Sequence, residues 1–128
     1  MAFVTRFIKK PLQALKNREY HNIISLCTEI IESPKFDILP PSKLEVLLLR
    51  ATFYFIWHDY SAAIHDLKII LSSEDVCDNI RVNALIKRAC IYLEIGTPEM
   101  TFNDFELALM INPSCSDIYY HRGLVLLI

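Results

Sequence analysis

A repeated eight-residue pattern constrains the fold of this 128-residue chain more than any other feature. Each copy begins with an apolar residue, has Arg at its fourth position and a small residue at its fifth, and ends with an apolar residue. The three copies align without gaps over Leu47–Tyr54, Leu85–Tyr92 and Tyr119–Leu126. Their small residues lie 38 and 34 residues apart and are Ala51, Ala89 and Gly123. Such spacing is typical of a chain that stacks repeated structural units.

A spacing of 34 residues is the period of the tetratricopeptide repeat, a helix–turn–helix unit. With Val82 as the first position of such a unit, Ala89 is the eighth, which must be small because the second helix crosses closely there. Gly96 then falls at the turn between the helices. Pro113 ends the second helix, because proline cannot donate to the helical hydrogen-bond ladder. Thr101 departs from the alanine that is usual at its position.

The predicted fold is therefore all-α, a tetratricopeptide-repeat helical solenoid of about three and a half helix pairs. The chain is expected to form one such segment, residues 1–128, with repeat units at about 3–33, 43–75 and 82–115 and a half repeat at 116–128. Helices are expected at about residues 3–16, 18–33, 43–57, 60–72, 79–95, 98–111 and 117–128.

Local signals place the ends of these helices. Pro34–Pro41, with three prolines, is the expected joint between two of them. Ser42, followed by Glu45, has the spacing of a capping box. The other expected N-caps are Asp59, Thr97 before Pro98, and Ser116.

Composition excludes several classes of protein. Apolar residues make up 53% of the chain and there are two glycines, which excludes a disordered chain and a glycine-rich phosphate-binding loop. The longest stretch without Asp, Glu, Lys or Arg is the ten residues 107–116, against about 20 apolar residues needed to span a bilayer. Residues 1–18 carry five basic side chains and no acid, whereas the other 110 residues hold 8 basic and 15 acidic ones. No nucleic-acid partner is therefore expected.

The basic start of the chain has two interpretations. Residues 1–18 are free of acid and contain Phe, as mitochondrial transit peptides do. The alternative is a first helix whose basic face is solvated. The second interpretation is favoured because Pro11 would interrupt a targeting helix.

No pattern in the sequence indicates an enzyme, a cofactor or a metal site. No pair of acids suits acid–base chemistry, and no pair of histidines has the spacing of a zinc-binding helix. The aromatic run of Tyr54, Phe55 and Trp57 is expected in the core rather than at a cofactor. The cysteines have neither paired nor zinc-ligand spacing and are expected to be reduced; they are Cys27, Cys77, Cys90 and Cys115.

The repeated arginines, Arg50, Arg88 and Arg122, also have two interpretations. They could form a basic ladder for acidic ligands. Alternatively, each stem covers apolar surface while its head pairs with a neighbouring acid. The second interpretation is favoured because the seventh position of the repeat faces helix packing.

Four segments together suggest a family. Asn22–Cys27, Leu47–Tyr54, Asn83–Arg88 and Asp117–Gly123 resemble, in this order, the seventy-kilodalton import receptors of the mitochondrial outer membrane. The resemblance covers about residues 15–128 and is to the central repeats of those receptors. It implies a non-catalytic, preprotein-binding segment on the cytosolic face of that membrane. The implied partners are carrier-type preproteins and other subunits of the import machinery.

The ligand groove of a tetratricopeptide fold is lined by the second, fifth, ninth and twelfth positions of each first helix. Here these positions are apolar with a few polar groups, which suits an unfolded or amphipathic segment of a preprotein. Each of these side chains could instead pack on the adjacent helix. They are Glu45, Leu48, Thr52, Phe55, Asn83, Ile86, Cys90, Leu93, Asp117, Tyr120 and Leu124.

Two properties of the family are not expected to carry over to this chain. The basic and amide side chains that clamp a chaperone's terminal carboxylate are missing at the corresponding positions, so chaperone docking is not expected. The sequence also contains no membrane anchor and stops six residues after Gly123. These features indicate a fragment, a truncated isoform or a partial gene model. The alternative function is a truncated tetratricopeptide scaffold or isoform with a general protein-interaction role.

Overall fold

The computed structural model describes residues 20–33 and 40–126, and this part of the chain is all-α, with six helices and no strand. The helices are α1 (Tyr20–Glu32), α2 (Pro40–Ile56), α3 (Tyr60–Ser72), α4 (Asp78–Ile95), α5 (Pro98–Ile111) and α6 (Ser116–Leu126). The predicted all-α class is confirmed, and the bounds of α3 and α5 agree with the expected ones. The helix expected at residues 3–16 lies outside the described residues.

The chain divides into two compact units between Asp66 and Leu67. In the first unit, α1 packs on α2 around a core of four buried side chains: Ile23, Cys27, Val46 and Phe53. Half-buried apolar residues of both helices complete this core. In α1 the apolar side chains recur every three to four residues, so they lie on the one face that meets α2.

The second unit is built around α4, α5 and α6. Residues from all three helices form its core, which consists of Val82, Leu85, Ile86, Ala89, Phe105, Ala108 and Ile118. The helices α4 and α5 cross closely at Ala89, because the hydroxyl of Thr101 in α5 donates to the Ala89 carbonyl at 3.0 Å. The expectation that this position must be small is confirmed. Thr101 can replace the usual alanine because its hydroxyl has this buried acceptor.

Gly96 ends α4, as expected from the repeat. Its φ of +93° lies in the left-handed region, where a residue with a Cβ is strained. Its N–H donates to the carbonyls of Tyr92 and Leu93 at 3.1 Å, which satisfies acceptors left open at the helix end. The turn therefore needs glycine for its backbone conformation, since a Cβ would meet no other atom within 4 Å.

Of the expected N-caps, Asp59 is confirmed: its Oδ1 accepts from the Ala62 N–H at 3.2 Å. Thr97 holds the cap position of α5 but donates its hydroxyl to the Tyr92 carbonyl at 3.0 Å, so it satisfies the end of α4 instead. The predictions for Ser42 and Ser116 are wrong. The helix α2 already begins at Pro40, since proline suits the first helical position, and Ser116 is itself the first residue of α6.

Two further expectations are corrected or lie partly outside the described residues. The last two prolines of the expected joint, Pro40 and Pro41, belong to α2, whereas residues 34–39 are not described. Gly123 was expected at a close helix crossing, but a Cβ there would meet no atom of the described chain within 4 Å. The reason is that none of the described helices covers this face of α6.

No helix within residues 20–33 or 40–126 is both long and apolar enough to cross a lipid bilayer.

Candidate functional site

A two-pronged ion pair joins α4 to α5 in the second unit. Arg88 donates from Nε to Oδ2 of Asp104 at 2.8 Å and from Nη2 to Oδ1 at 2.7 Å. Asp104 is only 1% exposed. The Arg88 guanidinium also lies 5.8 Å from the centre of the Tyr92 ring. The hydrogen bond from Asp104 raises the pKa of Arg88, although burial opposes this shift. The pair therefore locks the two helices together in one register.

The first unit repeats this arrangement. Arg50 donates to both carboxylate oxygens of Asp66, at 2.7 and 2.6 Å, and lies 5.7 Å from the Tyr54 ring centre. Its Nη1 also donates to Oγ1 of Thr28 at 3.0 Å, so this arginine joins α1, α2 and α3. The pKa of Tyr54 is raised because its phenol is partly buried, and Arg50 opposes the shift.

The favoured interpretation of the repeated arginines is therefore confirmed, since all three heads pair with acids. Arg122 is the weakest case: its Nη2 lies 3.4 Å from Oε1 of Glu106, and both side chains are substantially exposed. Such an exposed pair contributes little to stability. A basic ladder for acidic ligands is excluded for Arg50 and Arg88, because their donors are already engaged.

The acidic partners of these arginines were missed in the sequence, although a signal was present. Asp66 and Asp104 are 38 residues apart, as are Arg50 and Arg88, and each Asp follows its Arg by 16 residues. A recurring Asp in a helix that is otherwise apolar on its packed face indicates a buried partner. The alignment of the arginine-containing segments alone could not reveal it, because the second helices were compared less closely.

In the first unit, the candidate groove residues all lie on α2 and are half-buried: Glu45, Leu48, Thr52 and Phe55. The Thr52 hydroxyl donates to the Leu48 carbonyl at 2.8 Å, so it is engaged within the helix. The Phe55 ring lies 5.9 Å from that of Tyr60. This helix face is therefore mainly apolar, and the Glu45 carboxylate is its charged group.

In the second unit, the candidate residues lie on α4 and α6 and differ in exposure. Asn83, Asp117 and Tyr120 are exposed, whereas Cys90 and Leu93 are half-buried. Ile86 belongs to the buried core cluster, so its side chain packs within the fold instead of lining an open surface. The side chain of Leu124 lies outside the described residues.

Lys87 is a charged group near these positions that was not singled out from the sequence. It lies on α4, one turn after Asn83 and one turn before Cys90, and it is half-buried. Burial lowers the pKa of its ammonium group, and the nearby Cys90 opposes this shift. Among the residues that the structure describes, no acidic side chain forms an ion pair with it. It is therefore a charge held at a cost to the fold.

The four cysteines are free thiols in different surroundings. Cys27 is fully buried, and burial raises the pKa of its thiol from 9.0 to about 12, a shift that Arg50 opposes and Asp66 reinforces. Burial also raises the pKa of Cys90. Cys77, just before α4, is the exposed one. None of these environments favours a thiolate nucleophile.

The aromatic run in α2 is not uniformly part of the core. Tyr54 and Phe55 are half-buried, but Trp57 is exposed, so the expectation is wrong for that residue. Trp57 follows the last residue of α2, where the chain turns through His58 with a φ of +65°. Its ring lies 6.4 Å from the His21 ring, an edge contact at the rim of the first unit.

No protein-family model matches this chain. The chain is similar to the mitochondrial import receptor subunit TOM70 of Homo sapiens, Rattus norvegicus and Mus musculus. In each case the identity is 37% over 114 residues, which cover 89% of this chain and 18% of the relative. The chain thus spans less than a fifth of the length of these relatives. The resemblance to the mitochondrial import receptors, over one segment of a longer protein, is confirmed.

Proposed function

We propose, from the homology of this chain to a segment of the mitochondrial import receptor subunit TOM70, that it acts in mitochondrial protein import as a non-catalytic, preprotein-binding segment. The observation that carries the proposal is the identity of 37% across 89% of the chain. The expected ligands are hydrophobic or internal targeting segments of preproteins, including those of carrier type. Other subunits of the import machinery are the expected neighbours, and the cytosolic face of the mitochondrial outer membrane is the proposed location.

The arrangement of side chains supports a binding role over catalysis. The strongest charge interactions, Arg50 with Asp66 and Arg88 with Asp104, connect helices and leave no donor aimed at a substrate. The raised pKa of Cys27 and the lowered pKa of Lys87 both have burial as their largest cause. Perturbed groups of this kind stabilise or strain a scaffold without forming a reactive pair.

The proposed ligand follows from the surface at the candidate groove positions. Leu48, Phe55 and Leu93 are half-buried apolar side chains, and Tyr120 is an exposed aromatic one. Aromatic and aliphatic side chains of this kind bind the apolar face of an amphipathic segment. A free carboxylate would instead need convergent cations, and Lys87 is the one cation of α4 close to these positions. Chaperone-tail docking is therefore not part of the proposal.

A titration tests this function. The full 128-residue chain is mixed with a fluorescent peptide from a hydrophobic segment of a carrier-type preprotein, and anisotropy is recorded. We expect saturable binding that Leu48→Asp and Tyr120→Asp each weaken about tenfold, since each places a charge against an apolar ligand. Ile69→Asp is the matched control, because Ile69 is an exposed apolar residue of α3 outside the groove positions. Circular dichroism establishes that every variant is folded.

Three outcomes separate the alternatives. Weakening by the two groove variants alone supports the proposal. Equal binding of a scrambled peptide would favour a general protein-interaction scaffold. Equal losses for Ile69→Asp and for the groove variants would show that the groove positions are wrongly assigned, even if the chain binds preproteins.

A further inference from the structure

The helix α6 repeats the packing face of α2 and α4, but this face is open. The fourth, seventh and eighth positions of the repeat are Leu47, Arg50 and Ala51 in α2, and Leu85, Arg88 and Ala89 in α4. In α6 they are Tyr119, Arg122 and Gly123, and these three residues are here called the Arg122 face.

Exposure distinguishes the Arg122 face from its two counterparts. At the fourth position Leu47 is 2% and Leu85 is 4% exposed, whereas Tyr119 is 51% exposed. The Tyr119 ring is held at the helix start by its hydroxyl, which donates to the Pro113 carbonyl at 2.9 Å. At the eighth position Gly123 is exposed, and an added Cβ would meet no described atom within 4 Å.

The arginine at the seventh position shows the same difference. The side chains of Arg50 and Arg88 are 14% and 18% exposed, and each forms two short hydrogen bonds to a buried Asp. Arg122 is 40% exposed and reaches back to Glu106 on the preceding helix, at 3.4 Å. Its guanidinium therefore lacks the two-pronged carboxylate that the other copies of the repeat provide.

The two covered faces show what fits such a surface. Each is paired with a helix carrying a small residue and, three positions later, an Asp followed by an apolar residue: Ala63, Asp66 and Leu67 in α3, and Thr101, Asp104 and Phe105 in α5. The small residue is fully buried in both helices. The Asp one turn further on then reaches the arginine, because residues three apart lie on one side of a helix.

We propose that the Arg122 face binds an amphipathic helix of another polypeptide, one that presents a small residue followed three positions later by Asp. The small residue sits over Gly123, and the carboxylate takes both donors of Arg122 in place of the exposed Glu106. A second copy of this chain is a poor occupant. Its two helices of this type, α3 and α5, already have their Asp residues engaged by Arg50 and Arg88.

The experiment uses the full chain and a fluorescent, end-blocked peptide of the α5 sequence, Pro98–Ile111, as the added helix. Anisotropy should show saturable binding. Gly123→Leu should abolish it, because the leucine fills the crossing point. This variant should still fold, since the added side chain begins in open space. Gly123→Ala should retain binding, because alanine occupies this position in α2 and α4.

A double-mutant cycle tests the charge contact. Replacing the peptide residue that corresponds to Asp104 by Asn should weaken binding to the unaltered chain about tenfold. The same peptide should bind the Arg122→Ala variant no more weakly than the Asp-containing peptide does, because the contact has already been lost.

Several results would overturn the proposal. They are an absence of saturable binding, undiminished binding to Gly123→Leu, and an equal Asn effect with and without Arg122. Undiminished binding to Gly123→Leu would mean that the peptide displaces α5 from α4. Self-association in analytical ultracentrifugation that Gly123→Leu removes would identify a second copy as the occupant, against the argument above.

Discussion

Removing the guanidinium of Arg88 should destabilise the chain more than removing its acidic partner. In Arg88→Ala, the Asp104 carboxylate stays in the α4–α5 interface, where it is 1% exposed and loses two hydrogen bonds. In Asp104→Ala, the Arg88 head loses the same bonds, but its side chain is 18% exposed and reaches water. The two variants remove one interaction and differ in which charge they leave buried.

The magnitudes follow from that difference. Leaving a buried charge unpaired costs about 3–5 kcal/mol, which we expect for Arg88→Ala. For Asp104→Ala we expect about 2–3 kcal/mol, because the guanidinium can be partly rehydrated. The double variant Arg88→Met with Asp104→Leu removes both charges and fills the space with apolar atoms. It should therefore be less destabilised than Arg88→Ala alone, by at least about 1 kcal/mol.

Urea unfolding followed by circular dichroism at 222 nm measures these free energies. Arg122→Ala is the control, because the pair of Arg122 with Glu106 is exposed and spans 3.4 Å, and its loss should cost less than about 0.5 kcal/mol. The reasoning is refuted if Arg88→Ala and Arg122→Ala have equal costs. It is also refuted if the double variant is as unstable as the sum of the single variants, since the two charges would then act independently.

Two further predictions concern other buried groups. Lys87→Met should raise the free energy of unfolding at pH 7 by about 0.5–1 kcal/mol, because a half-buried charge is removed. Burial lowers the pKa of Lys87 below its ordinary 10.5, so the folded chain binds this proton more weakly than the unfolded one. Stability should therefore rise with pH between the lowered pKa and 10.5, and urea titrations should show that Lys87→Met loses this rise. A flat profile in the unaltered chain would contradict the assignment. Iodoacetamide at pH 8 should alkylate Cys77 first and Cys27 about 100-fold or more slowly, because Cys77 is exposed whereas burial raises the pKa of Cys27 to about 12. Mass spectrometry of the unaltered chain and of Cys77→Ser measures this order, and fast labelling that persists in Cys77→Ser would refute it.

Short-range signals explain why most of the fold could be predicted. The repeat spacing and the turn at Gly96 depend on residues that are close in sequence, and both agree with the structure. The N-caps were less reliable. Ser42 and Ser116 have the right chemistry for a cap, but prolines before Ser42 and the turn before Ser116 allow each helix to begin earlier than expected.

The candidate site was less predictable because a groove position fixes a direction and does not fix burial. Ile86 has the spacing of a groove residue, yet it is buried with Phe105 and Ile118 in the core of the second unit. Trp57 was expected in the core and is exposed, because it lies just beyond the end of α2. Each outcome depends on which helices pack on α4 and α2, and this information is absent from a helix taken alone.

The sequence by itself determined that this chain consists of repeated helix pairs, because helix periodicity and the residues at turns act over a few positions. Only the tertiary structure decided what each repeated arginine does. The same residue type at the same repeat position forms a buried, two-pronged pair in Arg50 and Arg88 and an exposed contact in Arg122. The physical reason is that a charge on a helix takes its role from the helix packed over it. That helix is present over α2 and α4, and none of the described helices provides it over α6.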